Sequence, residues 1–300
     1  MERFSPLFVR TADCPIQMRE HLNAYEKQLQ KEAQTLQGLG HKVKDQSFAC
    51  SSFSFRAPSH TNDTHMLLLG GMGPLAGVYG MRETLEKTNI PVTLFQACAV
   101  PQRSSHTDIT PTLSDALINA FSCCPTAKEI ELVVLCNSAH PFMDEAINRA
   151  SEHSPNLSEK LRFNSLKTSV EKNSHLFDNK KSIVLQTAFS SKRGVYGKSS
   201  SLRSLEDVPA LMACQNDLNN AIEGVKSFDK ERILNSATKV FMKLKEWEAE
   251  IILLGCTEMP IIVEYLKKYA CKEIQEYLSH IELIDPLHIT FAEIAKKKLR

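Results

Sequence analysis

Residues 130–142 read IELVVLCNSAHPF and residues 251–260 read IILLGCTEMP. Each opens as a short apolar run and breaks into a cysteine, small polar residues and a proline (Pro141 or Pro260). Working outward, Met66–Leu69, Val92–Ala97 and Ile183–Gln186 are further apolar runs of strand length. Amphipathic stretches lie between them, at Thr112–Phe121, Ala213–Val225, Glu231–Trp247 and Ile261–Tyr269. Strands apolar on both faces and separated by helices predict an α/β fold of doubly wound parallel sheets. In such sheets ligands bind beyond the carboxyl ends of the strands. The residues that follow each run therefore matter most: Gly70-Gly71-Met72-Gly73-Pro74, Cys136-Asn137-Ser138-Ala139-His140, Thr187, and Gly255-Cys256-Thr257-Glu258. The echo between the two cysteine tips predicts two similar halves facing each other, each presenting one thiol.

Residues 1–65 have a different texture. They are polar and end in a loop-like stretch, Ser51 to His65. Within them Met18, Leu22, Tyr25, Leu29, Ala33 and Leu36 recur at three- and four-residue spacing and predict one helix closed by Gly38 and Gly40. Its apolar face could cover the body of the protein or a second copy in a homodimer. Residues 151–181 are polar and rich in Ser, Asn and Lys, and read as a surface segment between two α/β halves.

Composition excludes several classes. Thirty-six Lys plus Arg against 35 Asp plus Glu leave a net charge of +1, without the basic surplus of a nucleic-acid binder. The basic tail Lys296-Lys297-Lys298-Leu299-Arg300 reads as a favourable helix C-terminus. No apolar run approaches the roughly 18 residues of a membrane span, and the first residues lack a signal-peptide core. Nine cysteines without CxxC pairs argue against a zinc site or a disulfide framework and for a reducing, cytoplasmic setting. The turn GGMGP is neither a dinucleotide fingerprint nor a phosphate loop, because Pro74 intrudes and no lysine follows.

A thiol at a strand tip before a helix sits in positive potential that favours thiolate, beside amide groups suited to a carboxylate. One such cysteine could be a nucleophile, with His140 four residues after Cys136 as its base; the reading preferred for His140 is that it braces the loop or assists proton transfer. Two such cysteines across one carboxylate ligand suggest stereoinversion at carbon, one removing a proton and the other donating one.

Seven segments in order carry a resemblance: LLLGGMGPLAG (67–77), VPQRS (100–104), VLCNSAHPF (134–142), GVYGK (194–198), AIEGVK (221–226), LLGCTEMP (253–260) and LIDPLHI (283–289). Together they resemble the cofactor-independent aspartate/glutamate racemase superfamily, most closely its aspartate racemase branch. The resemblance implies two domains related by a pseudo-twofold, with the active site in the cleft between them. The expected division is a leader at 1–65, which lies outside the resemblance, a first domain at 66–155, which the resemblance completes with a helix at 285–300, and a second at 156–284. It implies Cys136 and Cys256 as the catalytic thiols, acting on a small amino acid with no cofactor. Met72, Asn137, Ser138, Thr187 and Thr257 would contact substrate, Arg103 and Lys226 would recognise a side-chain carboxylate, and His140 and Glu258 would stand behind the thiols. Three departures from the family pattern bear on substrate choice. Ser138 replaces a threonine, Gln102 replaces an acidic neighbour of Arg103, and Phe189 stands where a glycine loop is usual, adding bulk near the site. The expected function is aspartate racemisation; the alternatives are glutamate, a broader set of amino acids, or a non-catalytic carboxylate- or partner-binding descendant.

Overall fold

The computed structural model describes residues 4–56, 64–88, 90–102, 108–124, 126–196 and 201–298. Two units emerge, Met1–Ser165 with Thr290–Arg300, and Leu166–Ile289. The first contains β1 (Phe8–Ala12), α1 (Pro15–Gly38), β2 (Ser51–Phe55), β3 (Thr64–Gly70), α2 (Pro74–Lys87), β4 (Val92–Gln96), α3 (Thr110–Ser122), β5 (Glu129–Val134), α4 (Met143–His153), α5 (Pro155–Lys160) and β6 (Leu161–Asn164). The second contains α6 (Leu166–Lys172), β7 (Ser182–Val184), α7 (Ala188–Lys192), β8 (Leu202–Ser204), α8 (Cys214–Ser227), α9 (Lys230–Glu246), β9 (Ile251–Leu253), α10 (Met259–Tyr269), α11 (Lys272–His280) and β10 (Glu282–Ile284). A last helix, α12 (Pro286–Lys298), starts in the second unit, and its residues from Thr290 belong to the first. No helix of the described residues is long and apolar enough to cross a membrane.

The apolar runs become the buried strands. Leu67, Leu68 and Leu69 of β3 are fully buried, as are Leu132, Val133 and Val134 of β5. Each such side chain contributes roughly 1.5–3 kcal/mol by leaving water. The sheet of the first unit has the order β1-β2-β4-β3-β5-β6, and that of the second β10-β9-β7-β8. Every pairing is parallel except one: β2 runs antiparallel to β4, with Ser51 opposite Gln96. The start of β2 consequently lies at the edge where β3, β4 and β5 end.

Three expectations need correction. The stretch after Ser51 is not all loop. Ser52–Phe55 alternates serine with phenylalanine, so Phe53 and Phe55 fill the core while Ser54 turns to the Thr93 hydroxyl at 3.0 Å. Within residues 1–65, β1 and β2 accordingly join the first sheet rather than forming a separate leader. The predicted helix is α1, and Met18, Leu22, Tyr25, Leu29 and Ala33 are buried on the first unit's own body. Arg82 of α2 holds it through Glu26 (2.6 Å) and Asn23 (2.7 Å). Nor are residues 151–181 a surface linker. β6 pairs with β5, which carries the unit boundary to 165/166 instead of 155/156, and Val170 and Phe177 enter the core of the second unit.

Beneath the first sheet, His65 Nε2 lies 2.8 Å from Thr93 Oγ1. Burial lowers the His65 pKa to about 4. The unfolded chain then binds a proton between pH 6.5 and 4 that the native state does not. Stability is full above pH 6.5 and falls by up to about 3 kcal/mol as pH drops to 4. His65→Gln should flatten that part of the stability curve in urea titrations at pH 7, 5.5 and 4.5; an unchanged difference between pH 7 and 4.5 contradicts this assignment.

Candidate functional site

Both cysteine tips are built the same way, one in each unit. In the first, β5 lies between β3 and β6 and delivers Leu135 and Cys136 at the carboxyl edge. A turn of 3-10 helix over Asn137–Phe142 follows, then α4. Cys136 is buried, and its Sγ lies 3.2 Å from the Ser138 hydroxyl. Asn137 and Ser138 are buried beside it. His140 bonds to the ends of the two neighbouring strands. Its Nε2 lies 3.2 Å from the Val134 carbonyl, which can only accept, so the neutral ring carries its proton there. Its Nδ1 then receives the Ser165 hydroxyl at 3.2 Å, and its ring packs on Phe163. His140 thus ties the end of β5 to the end of β6 and braces the loop.

The glycine turn after β3 is shaped by its neighbour. Gly71 has φ +89°, and a Cβ there would stand 2.4 Å from the Ala97 nitrogen and 2.7 Å from that of Cys98. Only glycine lets β3 and the segment leaving β4 approach so closely. Met72, next along, is buried. The Ala97–Gln102 segment leads to Arg103, which lies outside the described residues, as do Gly197 and Lys198.

In the second unit β9 delivers Leu254, Gly255 and Cys256, with α10 behind them. Gly255 has no room for a side chain, since a Cβ would fall 2.5 Å from Val184 Cγ2 and 3.2 Å from the Tyr196 ring. Cys256 Sγ donates to Glu258 Oε2 at 2.8 Å, and Thr257 Oγ1 donates to the same oxygen at 3.3 Å. All three residues are buried. Burial, the Glu258 charge and this hydrogen bond push the Cys256 thiol well above its ordinary pKa, while the charge of Lys226 pulls it down. Lys226 sits near the end of α8, mostly buried, its Nζ 3.9 Å from Glu223. Thr187 caps α7: its Oγ1 accepts from the Ser190 amide (3.1 Å) and donates to the Ser190 hydroxyl (3.0 Å). Phe189 lies within α7, where no positive φ is needed, and the Arg193 guanidinium stands 5.3 Å from its ring.

Cys136, Met72, Asn137 and Ser138 therefore gather in the first unit, and Cys256, Thr257, Glu258, Thr187 and Lys226 in the second. Among the described residues no group of three His, Cys, Asp or Glu side chains is placed to hold a metal ion. Sequence reading missed Gln215 and Asn219. Gln215 Nε2 donates to the Gln186 carbonyl (3.0 Å) and to Asn219 Oδ1 (3.1 Å), and that oxygen receives the Ala188 amide (3.3 Å). The signal was there: two polar residues four apart on the otherwise apolar face of α8.

Two buried strand-tip thiols on parallel sheets agree with a sequence comparison, in which the model of the Asp/Glu/Hydantoin racemase family matches residues 69–294. The chain belongs to that family. Among solved structures it is similar to the Picrophilus torridus aspartate racemase, with 18% identity over 78% of this chain and 94% of that one and a TM-score of 0.55. An aspartate racemase homologue from Pyrococcus horikoshii matches at 16% identity, 79% and 99% coverage and TM-score 0.48. The Francisella tularensis glutamate racemase in complex with D-glutamate matches at 16%, 79% and 81%, and 0.45. At such identities the first likeness speaks for the mixed α/β, parallel-dominated fold.

The Cys256–Glu258 contact makes a direct prediction. Glu258→Gln removes the charge that opposes the thiolate, so the Cys256 titration should move to lower pH. Rates of iodoacetamide labelling, read on the Cys256 peptide by mass spectrometry across pH 6–10, test this. A midpoint that stays in place or rises would show that Glu258 does not set the thiol's protonation.

Proposed function

We propose that this racemase-family protein inverts an acidic amino acid, aspartate, at Cα by a two-base reaction of Cys136 and Cys256, without pyridoxal. The observation that carries the reading is the buried thiol at the carboxyl end of a central strand in each unit, one of them hydrogen-bonded to a carboxylate at 2.8 Å. In one direction the Cys136 thiolate takes the Cα proton while Cys256, held as thiol by Glu258, supplies a proton to the opposite face. In the reverse direction the two exchange roles, and the Lys226 charge offsets part of the penalty for a Cys256 thiolate. Thiols suit this work because their ordinary pKa of ~8.5 lies near neutrality, so acid and base forms coexist.

The remaining groups would hold the substrate. Asn137, Ser138 and Thr257, with the backbone amides of the two tips, can donate to the α-carboxylate and to the charge that grows on it as the proton leaves. The Thr187 hydroxyl keeps a lone pair for the substrate ammonium. Arg103 and Lys226 supply the cations for a second carboxylate, Arg by a two-point grip and Lys as a compact charge.

Two variant sets test this reading. Cys136→Ser and Cys256→Ser should each lower racemisation at least ~10²-fold, the usual worth of a positioned proton-transfer group. Wild-type turnover in either variant contradicts the two-base reaction. A charge-assisted contact contributes roughly 1.5–3 kcal/mol, so Arg103→Ala should cut kcat/KM for aspartate about 10- to 150-fold and affect alanine much less. Equal losses on both substrates would count against an acidic substrate.

A further inference from the structure

Thr187 stands between two peptide groups, and a pair of polar residues on α8 holds both of them. Gln215 and Asn219 are one helical turn apart, and both reach the carboxyl end of β7. Gln215 uses both hydrogens of its side-chain amide: Nε2 donates to the Gln186 carbonyl at 3.0 Å and to Asn219 Oδ1 at 3.1 Å. Asn219 Oδ1 also receives the Ala188 N–H at 3.3 Å. The Gln186 carbonyl belongs to the peptide plane before Thr187, and the Ala188 N–H to the plane after it. Holding both planes fixes the backbone of Thr187, whose φ is −64° and ψ 152°. Its hydroxyl is then aimed by the two bonds with Ser190, at 3.1 and 3.0 Å.

The same network reaches the cysteine tip of this unit. Gln186 Nε2 donates to the Tyr196 carbonyl at 3.3 Å, and the Tyr196 ring is packed so closely on Gly255 that a Cβ there would lie 3.2 Å from it. Gly255 immediately precedes Cys256. Stability alone is a poor reason for such a network. Leu218, Ile222 and Val225 already supply α8 with buried apolar side chains. Gln186 and Gln215 are buried as well, and Gln186 Oε1 completes no hydrogen bond among the described residues. Buried amides with an acceptor left over cost stability that apolar residues of similar size would not. Their place on either side of Thr187 favours a role in placing that residue. The Ala188 N–H points the same way. As the first residue of α7 it has no carbonyl partner within its own helix, and Asn219 supplies the acceptor from α8.

We propose that Gln215 and Asn219 are positioning residues for Thr187, fixing the hydroxyl that receives the substrate ammonium. The part that concerns substrate rests on the racemase reading above; the hold on residues 186–188 does not.

The test uses the full chain as wild type, Asn219→Ala, Asn219→Asp, Gln215→Met, Thr187→Val and the double variant Thr187→Val with Asn219→Ala. Because the Ala188 amide has no acceptor within α7, its hydrogen exchange reports the Asn219 contact. Exchange at Ala188 should quicken about fivefold in Asn219→Ala, the worth of one modest hydrogen bond, and stay near the wild-type rate in Asn219→Asp, which keeps the acceptor. The amides of Ile183 and Ile252 should keep wild-type rates in both. KM for aspartate should rise about fivefold in Asn219→Ala and in Gln215→Met with kcat little changed, as expected when a binding contact is misplaced. Gln215→Met retains the side-chain volume and serves as the second probe should Asn219→Ala fold poorly. In the Thr187→Val background, Asn219→Ala should raise KM no further, since the group it positions is already gone. Unchanged exchange at Ala188, or equal acceleration at Ile183 and Ile252, overturns the hold. The same rise of KM in both backgrounds, or an unchanged KM beside a loosened Ala188, overturns its action through Thr187. Absence of turnover by the wild type refutes the racemase reading, while the exchange comparison still decides the hold.

Discussion

A strand hydrogen-bonded on both edges and covered on both faces has no place for reactive groups along its length. β5 and β9 are such strands: Leu132, Val133 and Val134 in one and Ile251, Ile252 and Leu253 in the other are fully buried. Chemistry is therefore displaced to the first residues beyond the carboxyl ends, where the backbone leaves the ladder and a helix begins. Cys136 and Cys256 occupy those positions. The rest of each unit follows from keeping the tips rigid. His140 ties β5 to β6, Gly71 brings the turn after β3 against the segment leaving β4, and Gly255 lets the second tip pack on Val184 and Tyr196.

The two tips share a plan but differ in charge. Cys136 faces a hydroxyl and Cys256 a carboxylate. A carboxylate that accepts from a thiol stabilises the protonated sulfur, so the second tip is biased toward the thiol form. If the two thiols work as a pair of bases, each direction uses a one-proton state of the pair, so unequal bases bias which sulfur holds that proton by a ratio that does not change with pH. The asymmetry is compatible with catalysis both ways, since Lys226 lies close enough to Cys256 to oppose Glu258.

Legibility followed apolar contrast. β3, β4, β5, β7 and β9 were plain because each is an apolar run framed by polar residues, and α1 because its five buried positions repeat at helical spacing. β2 was hidden because serine, a weak strand former, fills alternate positions where the sheet turns a polar face to Thr93. β6 and the Val170–Phe177 stretch were hidden because polar surface residues dilute a few buried apolar ones. At the site, the cysteine motifs were legible as paired strand tips. The tautomer of His140 and the α8 clamp on residues 186–188 were not, because both depend on which carbonyl a side chain meets after folding. The boundary between units was displaced for the same reason: strand pairing, which composition does not display, decides it.

The most direct measurement of the central claim is incubation of L-aspartate and D-aspartate separately in D2O with the purified chain and no added cofactor, following Cα–H loss by NMR and chirality by chromatography. The two-thiol account predicts inversion from either enantiomer, with solvent deuterium at Cα of the enantiomer formed. Inversion with the original Cα proton retained, or no change in the chirality of either enantiomer, would contradict it.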